Sequence, residues 1–216
     1  MRQIARRDDI RDLILDGVDT LLARFGYRKM TMDDLAREVG IGKGTIYLHF
    51  PGKEEVALAH IDRIAERLAG RLREIAGAHG SPEARLREML VTRVLFRFDS
   101  VYHYSQNLND LLSSIRNELL ARRQVHFEKE AEVLAAVLQE GRKVKVFDCA
   151  DCPQTARVLV WATNSLLPFS LTARELGKRE ELQARVSRIA DVLLLGLVRR
   201  PVVQTARKKS RPHRSV

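Results

Sequence analysis

One stretch, residues 31–53, constrains the fold of this chain more than any other. Thr31 begins a T-x-x-D capping box, which predicts that a helix starts here. Apolar residues then recur at helical spacing until Gly40, a residue that readily takes the positive φ at which many helices end. Gly42 opens a second short helix, and Pro51 ends it because proline has no backbone N–H to donate. The stretch therefore predicts two short helices joined by a tight turn.

A helix, a glycine-containing turn and a second helix together form a helix-turn-helix signature. In such a unit the second helix lies in the DNA major groove, and its first residues contact base edges. Here Lys43 can donate to guanine or to phosphate, and Thr45 can hydrogen-bond a base or contact a thymine methyl group. Gly44 has no side chain, so DNA can approach the backbone closely. The expected DNA-binding residues are Thr31, Gly42, Lys43, Gly44, Thr45, Tyr47, Leu48, His49 and Lys53.

A longer helix is predicted on each side of this stretch. The first ends at Gly26 and has an apolar stripe formed by Ile10, Leu13, Ile14, Val18, Leu21, Leu22 and Phe25. The inward residues of the second short helix are expected to be Ile46, Tyr47 and Phe50. The interval from Lys53 to Ile75 contains no proline and keeps a helical stripe. Arg2, Arg6 and Arg7 precede the first helix, and they fit either a solvated end or an arm that contacts phosphates or the minor groove.

The remainder of the chain is predicted to be helical too. Between Glu83 and Glu140 there is no glycine or proline, and we expect at least two helices there. The first of these helices is expected to start at Ser81-Pro82, with a break near 99–100 or 105–109 and a C-cap at Gly141. A loop is then expected over 144–152, followed by a helix from Pro153 to about Pro168. A final helix is expected over 182–198, where Pro201 stops it. No segment alternates with period two for long enough to predict a strand, so the fold class is all-α.

The helix-turn-helix region resembles the DNA-binding domain of the tetracycline-repressor (TetR) family of bacterial transcriptional regulators. The residues that carry the resemblance are Phe25-Gly26-Tyr27, Thr31, the run from Ile41 to Phe50, and Lys53. Gly52 stands where the family more often has Ser, Asn or Asp. Outside the N-terminal part, the chain matches the family only in length and helical character. We expect a helix-turn-helix domain over 1–53, a helical effector-binding and dimerisation domain over 54–201, and a basic tail over 202–216.

The resemblance implies a ligand-responsive regulator, most often a repressor, rather than an enzyme, and it implies no cofactor. Two recognition helices of a homodimer would read a palindromic operator in double-stranded DNA. A small-molecule effector would shift the helix over 53–75 and release the DNA. Such a protein is cytoplasmic, and nucleoid-associated when bound to DNA. The mixed aromatic and polar stretch 96–109 is the best place for an effector pocket, and the candidate lining residues are Phe96, Tyr102, His103, Asn107, Phe127 and Trp161.

The last two predicted helices are more apolar than one-sided burial requires. One apolar surface is formed by Val158, Leu159, Trp161, Ala162, Leu166, Leu167 and Phe169, and the other by Val186, Ile189, Ala190, Val192, Leu193, Leu194, Leu195, Leu197 and Val198. Either they are internal core helices or they form a homodimer interface. We favour the dimer because a twofold pair of helix-turn-helix units can bind two half-sites. The resemblance also implies pairing through the two C-terminal helices.

The charge distribution does not by itself identify a DNA-binding protein. The net charge is +10, but residues 1–53 hold 10 Lys and Arg against 8 Asp and Glu. The segment from Gln204 to Val216 holds five basic residues and no acids, so much of the excess lies there. That tail is either solvated and disordered or attracted nonspecifically to phosphate. A sequence-independent architectural DNA-binding protein is therefore the alternative function.

Other site chemistry has weak support in the sequence. Cys149 and Cys152 are either two small loop residues or a redox pair. A zinc site would need two further ligands, and the sequence has no second C-x-x-C and no paired His. His103 and His126 lack a nearby acid and nucleophile, which disfavours an enzyme or ligand-storage protein. The longest uncharged run, 158–173, is shorter than the ~20 residues that span a bilayer. With no apolar signal segment at the N-terminus, a cytosolic protein is expected.

Overall fold

Helices account for nearly all of the described chain. The structure, a computed structural model, describes residues 7–168, 175 and 177–198. Its α-helices are α1 (Arg7–Lys29), α2 (Met32–Val39), α3 (Lys43–His49), α4 (Lys53–Gly77), α5 (Pro82–Val101), α6 (Leu108–Ser114), α7 (Arg116–Lys143), α8 (Cys152–Thr163) and α9 (Arg179–Leu195), with 3₁₀ helices over Tyr102–Asn107 and Asn164–Leu166. Within these ranges the β pairing is one isolated bridge between Phe147 and Val198. The expected all-α class is confirmed.

The helix ends near the N-terminus follow the local sequence signals. At Gly26, where the first helix was predicted to end, the backbone leaves the helical region (φ 72°, ψ 168°), and the helix bends there but resumes to Lys29. The Thr31 hydroxyl accepts the backbone N–H of Asp34 at 3.1 Å, and the Asp34 carboxylate accepts that of Thr31 at 3.2 Å, which completes the capping box. Gly40 ends α2 with φ 73° and donates to the Ala36 carbonyl.

The helices α1, α2 and α3 share one core with the start of α4. Its buried side chains include Ile14, Val18, Leu21, Leu22, Leu35, Ile46, Phe50 and Val56. Gly17 allows α1 and α2 to approach closely, because a Cβ at this position would lie 2.6 Å from Val39 Cγ2. Two expected members of the α1 stripe are instead exposed. Leu13 lies off the buried face, and Phe25 lies on the last turn before the bend, with the Arg24 guanidinium 5.7 Å from its ring centroid.

The long helix α4 connects the two parts of the fold. It packs against α1 and, further along, against α5 and α7, while α8 packs on α7 and α9 on α5. The core of this second part is continuous with that of the first and includes Leu68, Leu72, Met89, Leu90, Val94, Leu134, Leu138, Leu159, Val186 and Ala190. The expected division into 1–53 and 54–201 falls at the start of α4 and stays a prediction. The tail over 202–216 lies outside the described residues.

The interval between Glu83 and Glu140 is more broken than expected. After α5 ends at Val101, the chain passes through a 3₁₀ helix, α6 and a turn before α7 begins. Tyr104 departs from helical geometry (φ −122°, ψ 20°). Its ring is buried, and its hydroxyl lies 3.1 Å from Nε2 of His60 on α4. The break is thus associated with a long-range contact that the local sequence does not reveal.

The predicted ends of the later helices were partly wrong. Gly141 is not a C-cap, since α7 continues to Lys143. Gly141 instead faces the Phe147 ring, whose Cε2 would lie 2.7 Å from an added Cβ. Pro153 does lie in the first turn of α8, which Asp151 caps, but the helix ends at Thr163 rather than near Pro168. The last helix ends at Leu195, and Pro201 is outside the described residues.

Candidate functional site

The second helix of the helix-turn-helix, α3, is held by its apolar face and presents its polar face outward. Ile46 and Phe50 are fully buried, α3 packs against α2, and Arg11 of α1 lies 4.5 Å from the centroid of the Phe50 ring, so the orientation of α3 is fixed. Tyr47, expected among the inward residues, is 46% exposed, and Leu48 is 78% exposed. Because an α-helix has about 3.6 residues per turn, Tyr47 points about 100° away from Ile46 and does not share its buried face. Tyr47 is therefore available to a partner, which agrees with its expected DNA-binding role.

The start of α3 lies open to solvent. Gly42 is its N-cap, and a Cβ added to Gly44 would have no neighbouring atom within 4 Å. Lys43 is exposed, and its Nζ donates to Asp33 Oδ2 of α2 at 2.9 Å. The hydrogen bond to Asp33 raises the pKa of Lys43, so this side chain remains a cation. Thr45 and His49 are partly buried at the sides of the exposed face.

Two further expected DNA-binding residues, Thr31 and Lys53, also have contacts within the chain. The Thr31 hydroxyl lies in the capping box, where it also bonds the Asp34 carboxylate at 2.6 Å. Lys53 donates from Nζ to the Arg28 carbonyl at 3.2 Å and lies 4.4 Å from the centroid of the Tyr27 ring. Burial lowers the pKa of Lys53. These contacts tie the start of α4 to the end of α1, so Lys53 has a structural role that its sequence position did not show.

An internal cavity of about 60 Å³ lies between α4, α5, α6 and α7. Its walls are mostly apolar, and its lining residues are Ile61, Ile64, Ala65, Arg97, Val101, Tyr104, Leu108, Leu111, Leu112, Leu119, Arg123, His126, Phe127 and Pro168. The middle helices thus line a cavity, partly open to solvent, where a ligand site was expected. Arg97 of α5 and Arg123 and His126 of α7 add basic groups to this lining, and Nε2 of His126 lies 2.8 Å from Asp62 Oδ1.

Most of the residues proposed for this pocket do not line it. Phe127 does. Phe96 and His103 lie instead on a separate polar depression with Asp19 and His60. Tyr102 and Trp161 are 57% and 51% exposed, and they point outward from the 3₁₀ helix and from α8. The side chain of Asn107 lies outside the described residues. Aromatic content did not identify the pocket, because most of its lining residues are aliphatic and come from four helices.

A cluster of charged side chains is buried beside the cavity. Arg93 Nε donates to Glu130 Oε2 at 2.5 Å, and Arg97 also donates to Glu130. The remaining Arg93 donors reach Thr163 Oγ1 and Asn164 Oδ1, each at 2.6 Å. Burial lowers the pKa of Arg93 to about 10. Burial alone would raise the pKa of Glu130, but the charges of Arg97 and Arg93 outweigh it and hold that pKa below its usual value.

A second polar contact joins the 3₁₀ helix to α4 and α1. His60 is buried, and Asp19 Oδ1 lies 3.4 Å from its Nε2. Asp19 Oδ2 lies 3.1 Å from His103 Nε2. Burial lowers the pKa of His60 to about 4, so the imidazole is neutral near pH 7. The contact links α1 and α4 with the segment that carries Tyr104, itself part of the cavity wall.

The helices α8 and α9 each keep an exposed apolar face. Val158 and Trp161 are 46% and 51% exposed on α8, and Val192 and Leu195 are 64% and 69% exposed on α9. Other members of the predicted apolar surfaces are buried within the chain: Leu159, Leu166, Leu167, Val186, Ala190 and Leu194. Phe169 lies outside the described residues. These two helices therefore contribute to the internal core and also leave apolar side chains uncovered.

Three further expectations concern the two cysteines, metal binding and membrane insertion. Cys149 and Cys152 form a disulfide at the start of α8, as the redox-pair alternative requires. In the part of the chain that the structure describes, no group of three or more His, Cys, Asp or Glu is placed to hold a metal ion. None of the described helices is long and apolar enough to span a membrane.

Comparison with known proteins supports the resemblance. Residues 14–60 match the family described as bacterial regulatory proteins, tetR family. Over 134 residues the chain is 30% identical to KstR2, an HTH-type transcriptional repressor of Rhodococcus jostii, covering 60% of this chain and 64% of KstR2. Over 47 residues it is 38% identical to IcaR of Staphylococcus epidermidis, a negative regulator of the biofilm operon icaADBC, covering 22% of this chain and 25% of IcaR. The chain thus spans less than two thirds of the length of the curated relatives it matches.

Solved structures extend the similarity beyond the N-terminal part. A structure described as the molecular basis for control of antibiotic production by bacterial hormones is 27% identical, with a TM-score of 0.69, and the match covers 90% of this chain and all of that one. A transcriptional regulator of Cytophaga hutchinsonii shares the fold, with a TM-score of 0.72 at 22% identity over 87% of this chain and 98% of that one. None of the proteins named here is described as an enzyme. The chain thus matches the tetR family of bacterial regulatory proteins over residues 14–60 and shares its overall fold with a solved transcriptional regulator.

Proposed function

We propose that this chain is a DNA-binding transcriptional repressor that reads a palindromic operator as a homodimer and releases it when a small molecule enters the internal cavity. The observation that carries the proposal is the exposed face of α3, which a buried core holds in place. Lys43, Gly44 and Tyr47 lie on or at the start of that face. A cytoplasmic, DNA-associated location follows from such a role.

The geometry of α3 supports insertion into the major groove. Its N-terminal residues are exposed and have no bulky side chain between Lys43 and Thr45, so the backbone can approach base edges. DNA phosphate could replace Asp33 as the partner of Lys43, because both side chains of that pair are exposed and such pairs are weak. Leu48 offers an apolar contact of the kind that thymine methyl groups accept. Thr31 and Lys53 would hold the unit together rather than read sequence.

A second copy of the chain is the proposed occupant of the uncovered apolar faces of α8 and α9. On α8, Val158 and Trp161 are three residues apart, and on α9 Val192 and Leu195 have the same spacing, so each pair lies on one side of its helix. Pairing two copies through both helices would bury these side chains in a four-helix arrangement. A twofold dimer also presents two α3 helices to two half-sites, which one copy alone cannot do.

The cavity is connected to the DNA-reading unit through α4 and α6. Leu108 and Leu111 of α6 line the cavity, and α6 packs against α1. Asp110 on α6 pairs with Arg28 at the end of α1, at 3.2 Å. Ile61 on α4 also lines the cavity, in the helix that follows α3. A molecule that separates α6 from α4 would therefore move both helices that hold the helix-turn-helix.

The size of the cavity supports a ligand-dependent change in conformation. At about 60 Å³ it is far smaller than ligand pockets, which are typically ~300–1,000 Å³. A sizeable effector would fit only an expanded form, so it would bind the two forms with different affinities, as any ligand-driven shift requires. A ~100-fold loss of operator affinity needs about 2.7 kcal/mol of such coupling.

Point variants of α3, titrated against an operator selected from random duplex DNA, test the DNA-binding proposal. Lys43→Ala and Tyr47→Ala should each weaken binding by ~10-fold or more, since a specific base or phosphate contact contributes about 1–3 kcal/mol. Tyr102→Ala is the matched control: it removes an equally exposed tyrosine away from α3, and it should bind like the unmodified protein. Fluorescence anisotropy at fixed salt gives the affinities, and circular dichroism checks folding.

The same assay separates the proposal from the architectural alternative. Deletion of residues 205–216 removes the basic tail, and a sequence-reading repressor keeps its site preference without it. A sequence-independent protein would lose most of its binding on that deletion. Unchanged operator binding by both α3 variants would count against the role of this helix.

A further inference from the structure

The buried charged cluster contains more positive than negative charge. Arg93 and Glu130 are 0% and 1% exposed, and Arg97 is 7% exposed. One carboxylate thus contacts two guanidiniums, and the other donors of Arg93 go to the neutral oxygens of Thr163 and Asn164. These three ionised residues hold a net charge of +1 inside the protein. Buried charge of this kind is costly unless an anion compensates it.

The cluster is in contact with the internal cavity. Arg97 belongs to both, since it bonds Glu130 and lines the cavity wall. Arg123 and His126 line the same cavity. Among the described residues that line it there is no Asp or Glu, and the remaining walls are apolar apart from the Tyr104 hydroxyl. The cavity therefore combines basic groups with an aliphatic and aromatic interior.

We propose that this cavity binds a small apolar molecule that carries one negative charge, such as a carboxylate, with the anionic group at Arg97 and the apolar body between α4, α6 and α7. The proposal names the chemical class of the effector, and in that sense it rests on the function proposed above. Its binding step involves no DNA and can be tested alone.

Charge and shape both favour this class of ligand. A single anionic group would bring the net charge of the ligand and the cluster to zero, whereas a neutral ligand would leave the positive charge uncompensated. The planar guanidinium of Arg97 matches a carboxylate in geometry, and charge-assisted hydrogen bonds are about twice as strong as neutral ones. The apolar walls, among them Ile64, Leu111 and Phe127, provide burial for a hydrocarbon chain or ring.

Matched acids and amides test the proposal directly. Isothermal titration of the full chain at pH 7 would compare butanoate, hexanoate and octanoate with butanamide, hexanamide and octanamide. Each pair has nearly the same shape and differs in charge. We expect at least one acid to bind ~10-fold or more tightly than its amide, the factor that about 1.4 kcal/mol represents.

Three variants locate the site. Arg97→Met should abolish the preference for the acid, because it removes the guanidinium assigned to the anionic group and leaves Arg93 and Glu130 as a neutral pair. Ala65→Phe fills the cavity without a change of charge and should abolish binding of acids and amides alike. Arg116→Gln, the control, removes one positive charge from an exposed position on the same helix as Arg123, and it should leave both affinities unchanged.

The proposal would be overturned by equal affinities of acid and amide at every chain length, by no acid binding at millimolar concentration, or by a preference that survives in Arg97→Met. If Arg97→Met does not fold, Ala65→Phe and the acid–amide comparison still test the proposal. Operator selection is a separate experiment. Operator binding without acid binding would overturn only this inference, and acid binding without operator binding would overturn only the proposed regulator.

Discussion

The buried Arg93–Glu130–Arg97 cluster predicts that loss of its anion destabilises the protein much more than loss of one of its cations. Glu130→Gln removes the carboxylate that both guanidiniums contact and leaves two buried positive charges close together. Arg97→Met removes one cation and leaves Arg93 and Glu130 as a one-to-one pair, with Nε and Oε2 2.5 Å apart. The first variant should therefore be much less stable than the second.

The magnitude follows from the burial of the cluster. Removing one partner of a buried ion pair costs ~3–5 kcal/mol because a charge is left uncompensated. For Glu130→Gln this is a large part of the ~5–15 kcal/mol that stabilises a folded domain, and at ~2–4 °C per kcal/mol it lowers Tm by about 6–20 °C. Arg97→Met loses its hydrogen bonds to Glu130 but also removes a buried charge, so its cost should be about 1–2 kcal/mol.

Urea unfolding at pH 7, followed by circular dichroism, measures these differences. Arg87→Met is the control, since it breaks an exposed pair with Asp191 whose atoms lie 2.6 Å apart, and exposed pairs contribute at most about 1 kcal/mol. The reasoning would be refuted if Arg97→Met destabilised the protein as much as Glu130→Gln, because the excess positive charge would then have no energetic cost.

Two further predictions concern single residues in the core. Burial lowers the pKa of His60 to about 4, whereas the unfolded chain protonates this group near its usual value of 6.5. Stability from His60 is therefore present above pH 6.5 and lost as pH falls toward 4. Between pH 7 and pH 5 the free energy of unfolding should drop by about 2 kcal/mol from this group, and His60→Gln should remove that part of the pH dependence in urea titrations. Gly141→Ala should destabilise the chain by about 1–3 kcal/mol, because its methyl group would overlap the Phe147 ring. Gly70→Ala, at a helical position with open space around it, should be neutral or stabilising by up to ~1 kcal/mol; equal thermal shifts for the two alanine variants would contradict the packing argument.

The N-terminal unit could be predicted from the sequence because its signals are local. The capping box at Thr31 and the positive-φ glycines Gly26 and Gly40 involve residues only a few positions apart. The exposure of Tyr47 was harder to predict, since helical periodicity alone does not set the width of the buried face on a helix as short as α3. The predicted α1 stripe also wrongly included Leu13, which lies on the side of the helix away from the core.

The cavity and its basic groups could not be predicted in this way. Glu130 meets Arg93 across 37 residues of sequence, and Tyr104 meets His60 across 44. Contacts of this separation depend on how whole helices cross, and neither composition nor periodicity specifies that. Gly141 illustrates the same point, because a local rule made it a helix end, whereas a packing contact with Phe147 explains the glycine.

The most direct test of the central claim is selection of bound sequences from random duplex DNA by the purified full chain at about 0.15 M salt, where nonspecific attraction is partly screened. A dimer that reads DNA through two α3 helices predicts enrichment of one inverted repeat, with half-site centres about 10 base pairs or a multiple apart. Binding without an enriched sequence, or no binding by ligand-free protein, would contradict it.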